Sequence, residues 1–250
     1  MKKIITLIAC LLLPSVVLRS VLRLLGHKIG KRSKIGFSLI RVRSLCLGDD
    51  VKIGHLNLIL NTKIELSNNA RIGYLNILKG PFALQLLTRA AIGNKNYITR
   101  GAIGLTYGES ILKLGELTKV TTGHHLDVTQ SILFGDFSIL AGIRSQMWTH
   151  GYYHAETGKD RIRIDGKIKI GNNVYIGSGC IFNPGVSVNN AVHVGGGSTI
   201  SKNLIAPGMY VGQTLRFIDN NLEKITNKLN KVEDPGLIEQ VYTKKENGSS

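Results

Sequence analysis

Seven apolar residues recur at every sixth position toward the end of the chain: Ile164, Ile170, Ile176, Phe182, Val188, Val194 and Ile200. A helix repeats about every 3.6 residues and a sheet strand about every 2, so neither accounts for the series. A period of six belongs to a solenoid in which each hexad forms one side of a coil and turns one side chain into a shared shaft. Glycine follows the apolar position in Ile170-Gly171, Ile176-Gly177 and Val194-Gly195, where a missing Cβ lets the backbone turn closely. The dipeptide occurs earlier in Ile29-Gly30, Ile35-Gly36, Leu47-Gly48 and Ile53-Gly54. Ile72-Gly73, Ile92-Gly93, Leu114-Gly115 and Phe134-Gly135 then follow at intervals of 19, 20, 22 and 20 residues. This spacing is that of three hexads per coil with a few extra residues at corners. No coil can bury its apolar side alone, so coils must stack, each buried Ile or Val contributing about 1.5–3 kcal/mol. The expected fold is an all-β solenoid, a parallel β-helix over residues 27–216.

The charge is strongly positive and uneven. Lys plus Arg number 32 against 16 Asp plus Glu, a net charge of +16. Lys2, Lys3, Arg19, Arg23, Lys28, Lys31, Arg32, Lys34, Arg41 and Arg43 all precede the first acidic residue, Asp49. Such a balance implies an anionic partner. A basic block beside apolar sequence points to a membrane surface, and no nucleic-acid-binding motif is present. The three cysteines, Cys10, Cys46 and Cys180, are widely separated and form no CxxC, which fits a reducing compartment without a disulfide framework.

Residues 1–26 form an apolar, basic N-terminal segment. Arg19 and Arg23 interrupt the apolar run over 4–25, making it a poor transmembrane span, and no small-residue cleavage site follows it. From Ser15, a candidate N-cap, the residues Val17, Leu18, Val21, Leu22, Leu24 and Leu25 fall mostly on one helical face. An amphipathic helix in the membrane interface is expected, the alternative being a helix that caps the open end of the solenoid; the two roles are compatible. Beyond Val211-Gly212 the hexads stop. Residues 217–250 are expected to hold a short helix over 218–232, with Leu222, Ile225, Leu229 and Val232 on one stripe, and a disordered tail from Lys244.

The chemistry is expected where the phase fails. After Leu140, positions 146, 152 and 158 are Gln, Tyr and Gly, and the repeat resumes at Ile164. The interrupted stretch, Arg144 to Asp160, holds the only tryptophan, Trp148, with His150, His154, Tyr152 and Tyr153. A polar, aromatic loop extruded from a rigid scaffold is a natural place for function. A second polar cluster, His124-His125-Leu126-Asp127, lies about one coil earlier, and stacking brings such positions together.

Trp148-Thr149-His150-Gly151, the run Ile168–Cys180, Asn183-Pro184-Gly185-Val186 and the run Gly195–Lys202 together resemble the hexapeptide-repeat acyltransferases, in particular bacterial O-acetyltransferases of surface-polysaccharide synthesis. The resemblance covers roughly residues 27–212. It implies a left-handed winding, a homotrimer, and acetyl-CoA as acyl donor lying along coil edges near a cleft between subunits. It implies that His150 is the general base acting on a sugar hydroxyl, with His125 next in order and Asp127 orienting an imidazole. It implies donor contacts at Trp148, Gly177, Gly195, Gly196, Gly197, Ser198 and Lys202, with Arg216 similarly placed. No metal is expected. The Pro-Ala-Lys run usual in the family is replaced by Gln213-Thr214-Leu215-Arg216, which blurs the nucleotide end of the donor site. A sugar on a lipid-linked or nucleotide-linked precursor at the inner face of the cytoplasmic membrane would account for the apolar, basic N-terminus. Two other readings are a zinc-dependent hydratase recruiting His124 or His125 with His150 and His154, and a non-catalytic solenoid scaffold.

Overall fold

The computed structural model describes residues 2–212, 223, 226–237 and 240–245. Three parallel sheets of eight, nine and eight strands run along the molecule. Each coil gives one short strand to each sheet, and each strand pairs with its counterpart one coil on. Along the second sheet the register runs Ile35, Ile53, Ile72, Ile92, Val120, Leu140, Ile176 and Val194, and all eight side chains are buried in the shaft. The fold is the hexapeptide-repeat parallel β-helix. The irregular coils between 54 and 133 keep the same stacking, because their extra residues are accommodated at corners.

One member of the six-residue series leaves the shaft. Ile170, Ile176, Phe182, Val188, Val194 and Ile200 are buried, but Ile164 lies in an antiparallel pair outside the coils. In turn, Met147 keeps its place on the shaft, in register with Leu126 and Phe182. The departure from the coils therefore begins after residue 149, later than the phase suggests.

The corner between the second and third sheets holds a buried polar ladder. The backbone N–H and the Nδ2 of Asn76 donate to Asn57 Oδ1 at 2.9 and 3.0 Å, and those of Asn96 donate to Asn76 Oδ1 at 2.9 and 3.1 Å. His124 N–H donates to Asn96 Oδ1 at 3.0 Å. His124 itself accepts from Ser145 N–H at Nδ1 and pairs with Thr121 Oγ1 through Nε2. Burial lowers its pKa to about 4, against hydrogen bonds that raise it, so it is a neutral structural histidine. These groups satisfy one another coil by coil, as buried polar atoms must.

The N-terminal segment is two helices, α1 (Lys2–Leu12) and α2 (Ser15–Leu24). Pro14, which lacks an N–H and restricts the residue before it, divides them. Thr6, Ala9, Cys10, Leu18 and Leu22 are buried against the first coils, so the pair caps the shaft. His27 fastens it: Nδ1 accepts from Leu45 N–H at 3.2 Å, and Nε2 donates to Thr6 Oγ1 at 2.9 Å. Ser15 does not cap α2. Pro14 is the N-cap residue, and the Ser15 hydroxyl accepts from Ile35 N–H at 2.9 Å, covering a strand edge of the first coil. No helix among the described residues is long and apolar enough to cross a membrane.

At the other end, the stripe expected to be helical over 218–232 includes residues 229–231 in a strand. Leu229–Lys231 pairs antiparallel with Val241–Lys244, the turn between them containing Asp234-Pro235-Gly236. Most of the remaining helix positions, Leu222 and Ile225 among them, lie outside the described residues, as does the tail beyond residue 245. Lys244, expected to open a disordered tail, ends a strand that pairs in parallel with Arg161–Asp165.

Candidate active site

After Thr149 the chain leaves the coils in a hairpin, with strand His150–His154 antiparallel to strand Arg161–Asp165. Its root is constrained. A Cβ on Gly166 would collide with the backbone nitrogen of Gly185, so only glycine fits there. The buried Arg163 places Nε 2.9 Å from Asp165 Oδ1, and its Nη1 donates to Leu105 O. Burial raises the pKa of Asp165, against the opposing pull of Arg163. The hairpin is thus tied both to the coils and to the excursion at 101–109.

The hairpin brings His150 onto Asp127, at the end of strand His125–Asp127 one coil below. His150 Nδ1 lies 2.8 Å from Asp127 Oδ2. The same oxygen accepts from Thr149 N–H at 3.0 Å and Thr149 Oγ1 at 2.7 Å. Oδ1 accepts from Thr129 Oγ1 at 2.8 Å. Burial works against the charge on Asp127, but the bonds from His150, Thr149 and Thr129 outweigh it and hold the carboxyl below the usual carboxylate range. An ionised carboxylate only accepts, so Nδ1 of His150 carries the proton and Nε2 keeps its lone pair. The bond to Asp127 raises the pKa of His150 above the ordinary imidazole value, burial opposing it.

His150 lines a cleft of about 440 Å³ together with Trp148, Tyr152, Pro184, Ser201 and Lys244. Trp148 is fixed by its Nε1 donating to Gln146 Oε1 at 2.9 Å. His125 sits beneath it, its ring 4.7 Å from Trp148 and 4.9 Å from Tyr97. His125 does not line the cleft; it supports Trp148, and burial lowers its pKa.

The expected donor-binding positions are distributed unevenly. Trp148 lines the cleft. Gly177, Gly195 and Gly196 lie on one corner, where added Cβ atoms would come within 2.6 Å of Gly196 N, 2.8 Å of Val211 Cγ1 and 3.1 Å of Ser178 O. Coil stacking alone demands glycine at Gly177, where the obstructing atoms are backbone; at Gly195 the nearest atom is a side-chain methyl. Gly197 has a φ of +73° and open space around it. Ser198 is buried and its hydroxyl donates to Gly195 O at 2.8 Å, which shapes the turn. Lys202 is exposed and outside the cleft lining, and Arg216 lies outside the described residues. Four residues of the site escaped the sequence reading: Thr129 and Thr149, which solvate Asp127; Arg163, which anchors the hairpin; and Lys244, which reaches the cleft from the C-terminal strand. Burial lowers the pKa of Lys244, and no carboxylate pairs with it among the described residues. Among those residues no three His, Cys, Asp or Glu side chains are grouped to hold a metal.

No family model and no curated protein matches the chain. Solved structures similar to it include two acetyltransferases. One, described as the polySia-specific acetyltransferase NeuO, shares 16% identity, covers 81% of this chain and 98% of its own, and has a TM-score of 0.36. The other, a maltose O-acetyltransferase from Clostridium difficile 630, shares 16% identity over 67% of this chain and 71% of its own, with a TM-score of 0.25. At these values the likeness carries nothing about chemistry, and the fold described above rests on the strand pairing of this chain.

Proposed function

We propose that the chain is an O-acetyltransferase that moves an acetyl group from acetyl-CoA to a sugar hydroxyl, with His150 as general base and Asp127 as its orienting partner. The observation that carries this reading is the pairing of the buried Asp127 with the half-buried His150, whose ring lines a cleft. Nε2 of His150 takes the proton of the acceptor hydroxyl as its oxygen attacks the thioester carbonyl carbon. The tetrahedral intermediate collapses with cleavage of the C–S bond, and the imidazolium returns the proton to the departing thiolate. No acyl-enzyme is needed. Asp127 stabilises the imidazolium while it exists and fixes the tautomer. The charge of Lys244 favours the oxyanion developing in the same cleft.

The wider setting belongs to the same reading. The left-handed winding and the homotrimer follow from the resemblance of the repeats. Contact with an anionic membrane, and so a place at the inner face of the cytoplasmic membrane, is supported by the outward faces of α1 and α2. Ile4, Leu12, Val16 and Leu24 are exposed there, Leu24 to 89%, beside Lys2 and Lys3. The deciding experiment is release of CoA thiol from acetyl-CoA by purified protein with a panel of sugar acceptors, wild type beside His150→Ala. Acceptor-dependent release that the substitution leaves undiminished would remove His150 from this role.

A further inference from the structure

A second groove, of about 710 Å³, runs along the corner between the second and third sheets near the helical cap. One wall is a column of cations. Lys34, Lys52 and Arg71 stand in strict register on successive coils, so their charges repeat roughly every 4.8 Å along the axis. All three are exposed, and none forms an ion pair among the described residues; the nearby Asp50 is taken by Arg32. The other wall is a column of rings, one from each coil. Phe37 and His55 have centroids 5.7 Å apart, and His55 and Tyr74 are 6.3 Å apart and parallel within 3°. Phe37 N–H donates to His55 Nδ1 at 3.1 Å, which leaves the outer Nε2–H of His55 free to donate. The groove floor is glycine: a Cβ on Gly36, Gly54 or Gly73 would run into the coil above.

These features select a ligand. Free cations at even spacing attract a chain of evenly spaced anions. The His55 and Tyr74 rings are parallel to one another, and ring edges, where the quadrupole is positive, favour oxygen atoms. Nucleobases would have to stack on exposed ring faces, and a single-stranded oligonucleotide is therefore the competing ligand in the test. We propose that the groove binds an acidic glycan, a chain of sugars bearing repeated carboxylates, laid parallel to the solenoid axis. Its ligand class rests on the acetyl-transfer reading in that the acceptor there is a sugar. The foot of the groove is formed by Leu13, Pro14 and Ser15 at the break between α1 and α2.

The test uses the full chain without acetyl-CoA, so that binding is read independently of transfer. Fluorescently labelled oligogalacturonate, neutral dextran of similar length and single-stranded oligothymidylate of matched charge are titrated by anisotropy at low and high salt. Oligogalacturonate is expected to bind, to weaken with salt and to lose about tenfold in affinity in Lys52→Ala/Arg71→Ala, while His150→Ala binds like wild type. Tyr74→Ala is expected to cost about threefold. Equal binding of dextran, tighter binding of oligothymidylate, or an unchanged affinity in the double variant would each overturn the proposal. So would a fall in assembly mass by light scattering in that variant, which would make the groove a contact between copies of the chain. An absence of acetyl transfer, with glycan binding intact, would overturn the catalytic reading alone.

Discussion

Asp127 keeps its charge in a buried setting because five side-chain and backbone donors of His150, Thr149 and Thr129 converge on it, and that charge sets the behaviour of His150. Replacing His150 with Ala is expected to reduce transfer by about 10²–10⁴ with little change in melting temperature, read by thiol release and by thermal unfolding. The pH dependence follows from the signs. Neutral imidazole is the active form, and its folded pKa is raised, so activity falls as pH drops through a value above the ordinary 6.5. In Asp127→Asn the raising partner is gone, and the acid limb of kcat/KM moves to lower pH while its plateau falls; an unmoved limb would detach Asp127 from His150. At this scale the sequence pointed to both residues, because a histidine beside the only tryptophan and an aspartate in a polar cluster one coil away are conspicuous. Thr129, Thr149 and Lys244 were not legible: common polar residues become informative only when strand register places them on one carboxylate or in one cleft.

The elements answer to different signals. The solenoid is legible because six-residue periodicity is a direct image of coil geometry, and every glycine that followed an apolar position in the second sheet marks a close turn. Ile164 shows the limit, since a strand outside the coils can fall into phase by chance. The helical cap was legible as apolar sequence but not as two helices, although Pro14 was in plain view; its use of Ser15 depends on a strand edge that no local pattern reveals. Leu18 of the cap helix α2 is wholly buried, and Leu18→Ala is expected to destabilise the fold by about 2–5 kcal/mol, measured by denaturant unfolding. His27 adds an acid sensitivity. Burial, then the charge of Lys2, lowers its folded pKa below the ordinary 6.5, so the unfolded chain binds the extra proton first. Stability is full above that ordinary value and declines as pH falls below it toward the lowered folded pKa, and His27→Gln should flatten this limb in thermal melts at successive pH values.

For the whole molecule, the basic, apolar end and the hairpin site occupy different levels of one stack. Sedimentation with phosphatidylglycerol-containing vesicles is expected to carry down the wild-type chain and to leave Ile8→Asp/Leu12→Asp in solution, with transfer to a soluble acceptor retained in both. Equal sedimentation of the two would show that α1 and α2 serve the shaft alone. The third sheet counts five steps from strand Leu39–Ile40 beside the cap to strand Gln146–Met147 beside His150, roughly 24 Å at the spacing of neighbouring strands. Because each amide of the asparagine ladder needs the rung below it, that interval cannot stretch or slip. If the cap rests on lipid, the protein works as a pedestal of fixed height: a sugar joined directly to a lipid head would be left out of reach, whereas one borne several units along a chain would meet the imidazole, and excising the single coil from Asn57 to Leu75 would lower the platform without altering the chemistry on it.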